Sequence, residues 1–160
     1  MFKKSMIALA VMAMATGVQA ETINGNTQKD TKFDEVAADF IVQGGYIGHS
    51  EIDINAQNIT VTNPSPMGPQ PVEQHGIYAV GSVKLNAAKD ITIHSNYLGI
   101  YVAGQEVTDK NKPAKVDITA GGTLTVKTES GWAIKNEKGD GYNWCGARLV
   151  DNLECPKGMR

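Results

Sequence analysis

The side chains able to do chemistry are few, and their spacing argues against most of what they could do. The three histidines, His49, His75 and His94, stand in separate stretches of the chain. None has a partner at ligand spacing, so no metal site is expected and each reads as a surface residue. The two arginines, Arg148 and Arg160, both lie near the C-terminus. No Gly-x-Ser-x-Gly elbow occurs, and no serine or cysteine nucleophile comes with a paired base. Acid–base chemistry on a sugar needs two facing carboxylates. Asp53 and Asp117 fall at equivalent places in a repeat, but Lys84 falls between them, which reads as alternating charge on a solvated face. The calcium-binding Gly-Gly-x-Gly-x-Asp pattern is absent, because Gly121-Gly122 runs into Thr123-Leu124. Lys138-Gly139-Asp140-Gly141 reads as a turn. No catalytic residue and no cofactor is therefore expected. What remains is Tyr78 and Tyr101, again at equivalent places. If Ile77 and Ile100 point inward, the tyrosines form an exposed aromatic column that could bind sugar or protein. Covering a loop, or serving strand propensity alone, is the other use of such residues.

The elements that must position these tyrosines are set by an internal repeat. Gly76-Ile77-Tyr78-Ala79-Val80-Gly81 returns as Gly99-Ile100-Tyr101-Val102-Ala103-Gly104. Val83-Lys84-Leu85-Asn86-Ala87 leads to Asp90-Ile91-Thr92-Ile93, and Val116-Asp117-Ile118-Thr119-Ala120 leads to Thr123-Leu124-Thr125-Val126. An earlier copy, Ile52-Asp53-Ile54-Asn55-Ala56 then Asn58-Ile59-Thr60-Val61, is one residue shorter at its corner. Strict alternation with β-branched residues marks half-buried strands. A single copy cannot bury its own aliphatic row, so copies must stack. Stacking would set Ile54, Leu85 and Ile118 in one interior row, and Ala56, Ala87 and Ala120 in another. Ile59, Ile91 and Leu124 would make a third, and Val61, Ile93 and Val126 a fourth. Thr60, Thr92 and Thr125 would form a column outside. The expected fold is all-β, a short right-handed parallel β-helix of about three coils spanning 45–136.

Two stretches interrupt the repeat. Pro64, Pro66, Pro69 and Pro71 cannot sit in a central strand, so 63–74 reads as a loop. The polar run 105–112, ending at Pro113, reads as another, and loops on a rigid scaffold commonly bind. Residues 21–44 are expected to form an N-terminal cap or first strand. There Phe33, Val36, Ala37, Phe40 and Ile41 have the spacing of a short helix face, while 39–42 could equally begin the first coil. Residues 137–160 show no periodicity and read as an irregular tail.

The N-terminus has the form of a signal peptide. Lys3 and Lys4 precede the apolar stretch Ser5–Thr16, and Val18-Gln19-Ala20 supplies small residues for cleavage after Ala20. The stretch is too short to cross about 30 Å of hydrocarbon as a helix. A helical N-terminal anchor is the alternative. Removing 1–20 takes away two lysines and no acid, moving the net charge from −2 to −4. No basic patch is present, so nucleic acid is not an expected partner. Export is an oxidising route, in which Cys145 and Cys155 could close a short disulfide loop; a free pair is equally open.

Taken together, the Gly-Ile-Tyr-Ala strand, the hydrophobic-x-hydrophobic-x-Ala strand and the Ile-Thr-Ile/Val strand resemble the passenger repeats of type V autotransporters and related surface adhesins. The resemblance covers roughly residues 45–135, plus the signal peptide. It implies export through the periplasm to the cell surface or the medium, and adhesion to a host or bacterial surface protein or glycan. That family ends in a translocator barrel of at least eight strands, about ten residues each, and nothing after residue 136 matches one. Contact with the outer membrane would run only through that missing part. The expectation therefore includes a fragment, a truncated remnant without function of its own, or a small secreted relative. Parallel β-helices also host polysaccharide lyases and hydrolases, the competing class.

Overall fold

A computed structural model describes residues 18–65, 74–103, 114–136, 139–145 and 148–150. The described chain is all-β, and every strand pairing in it is parallel. In chain order the strands are β1 (Glu21–Asn24), β2 (Thr31–Glu35), β3 (Phe40–Gln43), β4 (Ile47–Ala56), β5 (Ile59–Asn63), β6 (Ile77–Ala87) and β7 (Ile91–Ser95). There follow β8 (Ile100–Val102), β9 (Ala114–Ala120), β10 (Thr123–Thr128), β11 (Ile134–Asn136), β12 (Gly139–Cys145) and β13 (Arg148–Val150).

The chain alternates between two sheets. One has the order β1-β3-β5-β7-β10-β13; the other runs β11-β8-β6-β4-β2, with β9 also on β6 and β12 on β9. Strands β4 and β6 each carry two pairing segments. In β6, Ile77–Ala79 pair with β8, while Ser82–Ala87 pair with β9.

Register explains the interior. Ile54 lies opposite Leu85 and Leu85 opposite Ile118; Ala56, Ala87 and Ala120 follow the same ladder. Ile59, Ile91 and Leu124 form another row, beside Val61, Ile93 and Val126. All twelve are essentially buried, as the alternation requires. Each large aliphatic side chain taken out of water contributes about 1.5–3 kcal/mol against the entropy of ordering the chain. Thr60, Thr92 and Thr125 are in register on the opposite face.

A polar column turns the corner after the first sheet. Asn63, Ser95 and Thr128 are in register and buried. Each satisfies a corner carbonyl. Asn63 Nδ2 donates to His75 O at 2.6 Å, Ser95 Oγ to Leu98 O at 2.8 Å and Thr128 Oγ1 to Gly131 O at 3.1 Å. One rung earlier the same place is taken by Gly44, whose φ of 71° lies in the left-handed region that suits glycine.

The ladders run past 45–136 at both ends. The first sheet alone holds six strands among the described residues. Residues 21–44 form β1, β2 and β3 rather than a helix face. Phe33 stacks on Ile54 and Phe40 on Ile59, while Val36, which a helix would have buried, is exposed. The reason is that neighbouring strands already offer a ladder of donors and acceptors, which a short helix would forgo. The tail is not wholly irregular either. Tyr142 and Trp144 of β12 fall opposite Val116 and Ile118, continuing a period-2 pattern. Gly139-Asp140-Gly141 opens that strand, with a register shift before Tyr142, instead of forming a turn.

Candidate functional site

The outer face of the second sheet carries the candidate site. Gly48, Tyr78, Tyr101 and Lys135 occupy one register column on β4, β6, β8 and β11. Ile47, Ile77 and Ile100 beside them are fully buried, so alternation turns the tyrosines outward. The two tyrosine rings lie 5.5 Å apart, tilted by 55°. Lys135 Nζ sits 5.4 Å from the centre of the Tyr101 ring, within cation–π range.

His75 backs this column, and its placement corrects the reading of it as a surface residue. It is 2% exposed. Its ring stacks on Tyr97 at 5.6 Å and on Tyr78 at 6.1 Å, and meets Tyr101 edge-on at 5.2 Å. Among the described residues its Nδ1 is buried without a hydrogen-bond partner. Burial, and then the positive charge of Lys135, push the imidazole down to about 4. The physical reason lies in the ladder. Gly76 pairs with Gly99 through the corner, which sets His75 in the place Leu98 fills one rung later. That place needs a bulky side chain, and here it is a neutral imidazole.

Beside Tyr78 the surface opens into a cleft of about 370 Å³, lined by Gln28, Tyr46, Gly48, His49, Ser50, Tyr78 and Val80. Its shape depends on a missing side chain. The Tyr46 ring folds over Gly48, and a Cβ there would stand 2.7 Å from Tyr46 Cε2. Its edge depends on a clamp. Asp30 Oδ1 accepts from Ser50 N at 2.9 Å, from Glu51 N at 2.8 Å and pairs with His49 Nδ1 at 2.9 Å. These bonds hold the register shift between His49 and Glu51. The Glu51 amide, then the His49 side chain, keep the Asp30 carboxyl below its ordinary range.

The remaining expected residues are dispersed. His49 lies at the cleft edge, and His94 pairs with Glu129 at 2.9 Å. Lys32, Asp53, Lys84 and Asp117 form one column of alternating sign, with Lys84 Nζ 4.0 Å from Asp53. Cys145 ends β12, while Cys155 lies outside the described residues, as do residues 1–17 of the stretch expected to be a signal peptide.

Tyr46, Tyr97 and Lys135 belong to the site and were not singled out in the sequence. Lys135 had a signal: Ala133-Ile134-Lys135 matches Gly99-Ile100-Tyr101 in register. Tyr97 and Tyr46 stand at corners, where alternation gives no guide. No protein-family model, no curated protein and no solved structure matches the chain.

Proposed function

We propose that this chain is an exported, non-enzymatic interaction module, its strands coiled as a right-handed parallel β-helix that presents an aromatic column to a surface protein or glycan. The observation that carries this is Tyr78 over Tyr101 on the outside of an in-register sheet, backed by the buried ring of His75. Aromatic side chains held rigidly at a surface bury area at little entropic cost on binding. The alternation of the chain between two parallel sheets supports the coil, and parallel crossovers within a sheet are right-handed in nearly every case. The small-x-Ala site at Val18–Ala20 supports export, to the cell surface or the medium. The alternating column Lys32, Asp53, Lys84, Asp117 favours a solvated face over an acid–base pair.

The test is retention of the purified chain on arrays of glycans and surface proteins. Wild type should be retained on at least one, and a Tyr78→Ala/Tyr101→Ala variant with an unchanged melting curve should not. Equal retention of both removes the column as the contact. Cleavage of a polyuronate by the wild-type chain would replace this reading with the lyase class.

A further inference from the structure

Building on the interaction-module reading, we propose that the cleft beside Tyr78 is a subsite for a neutral pyranose sugar. Its volume of about 370 Å³ falls at the small end of the ~300–1,000 Å³ typical of small-molecule sites. That suits one sugar ring or two. The lining joins two tyrosines, Tyr46 and Tyr78, to short polar groups on Gln28 and Ser50. A pyranose has the complementary construction, with an apolar C–H face and a rim of hydroxyls. The face packs on an aromatic ring, and the rim takes hydrogen bonds from side chains around it.

Charge selects the class of sugar. Among the described residues the lining contains no lysine or arginine. Asp30 sits in the clamp that fixes Ser50 at the cleft edge, and Glu51 follows in the same bulge. A uronate or sialate would meet these acids, and the one basic side chain in the described lining, His49, is already paired with Asp30. The cation of the column, Lys135, lies against Tyr101, three strands away from β4 and one beyond β8. The clamp also sets the Ser50 backbone before any ligand arrives, which lowers the entropy lost on binding.

The experiment titrates the full chain with glucose, galactose and mannose, and separately with galacturonate and N-acetylneuraminate, following backbone amide shifts by NMR. At least one neutral hexose should bind with a millimolar Kd and shift the Gly48 and Ser50 amides. Tyr78→Ala should weaken it more than about tenfold and Gln28→Ala several-fold, while Lys127→Ala, on β10 of the other sheet, leaves it unchanged. Binding of acidic sugars alone, dependent on Lys135, overturns the assignment. So do hexose shifts that map elsewhere, or no hexose binding at tens of millimolar. Failure here is distinct from failure of the interaction reading. If no sugar binds while Tyr78→Ala/Tyr101→Ala still abolishes retention on a protein surface, the cleft assignment falls alone.

Discussion

Acidification should weaken this fold through one buried imidazole, and replacing His75 by leucine should remove much of that weakness. His75 is 2% exposed, and its imidazole is pushed down to about 4 from the ordinary imidazole value of 6.5. As pH falls below 6.5 the unfolded chain takes up a proton that the folded chain refuses until pH nears 4. Protons then bind the unfolded state in excess, so stability falls with falling pH across that window and levels off below it. Two to three pH units at 1.36 kcal/mol each give a loss of about 3 kcal/mol. For a domain of this size that is roughly 6–12 °C in Tm. Among the described residues, the groups around the ring are Tyr78, Tyr97, Tyr101 and Lys135; the lysine adds to the effect by repelling a second positive charge. Leucine is the replacement of choice because Leu98 fills the equivalent place one rung on. The assay is urea unfolding followed by circular dichroism at pH 7.5, 6.5, 5.5 and 4.5, for wild type and His75→Leu. Asp30 and Glu129, whose carboxyls are also held low, titrate in both proteins, so the difference between the two curves isolates the imidazole. The two proteins should diverge by about 3 kcal/mol at pH 4.5 relative to pH 7.5. Parallel curves would refute the claim that His75 is buried neutral.

Other positions test the packing and the corners. Leu85→Ala, in the middle of an interior row, should cost about 2–5 kcal/mol in urea unfolding, since the rungs above and below cannot close the cavity. Ser95→Ala should cost about 0.5–1.5 kcal/mol by removing one of two donors to the Leu98 carbonyl, which keeps the Gly76 amide. Gly44→Ala should cost about 1 kcal/mol or more, because φ of 71° crowds a Cβ against the following carbonyl. Asp30→Ala should speed hydrogen exchange at the Ser50 and Glu51 amides and leave the Leu85 amide unchanged, because only the bulge loses its acceptor.

The centre of the fold was readable because its copies keep one spacing. Val83 to Ile93 and Val116 to Val126 align without a gap, and every interior row drawn from them is a row of register partners. The ends were hidden because their copies drift. Lys32-Phe33-Asp34 fills the place of Asp53-Ile54-Asn55, and the aromatic ring in it invited a helical spacing instead. Tyr142-Asn143-Trp144 follows a glycine-rich opening with a register shift, which masks its period. At the site, Tyr78 and Tyr101 stood out because both follow an inward isoleucine in a repeated motif. His75 did not, because a histidine beside a proline-rich stretch reads as exposed until the ladder sets it over Leu98. The cleft was illegible for a simpler reason: it exists because Tyr46 folds back over a glycine, a contact that no periodicity encodes.

Everything above depends on successive passes of the chain lying side by side in parallel register, and a paired-cysteine experiment reads that register directly. In a Cys145→Ser/Cys155→Ser background, Thr92→Cys/Thr125→Cys places two thiols on adjacent strands about 4.8 Å apart, within disulfide reach. Thr60→Cys/Thr125→Cys places them two strands apart, at about 10 Å, beyond it. Peptide mapping after mild oxidation should find the intramolecular bond in the first pair and not in the second. A bond in the second pair, or none in the first, would contradict the stack and remove the aromatic column built on it.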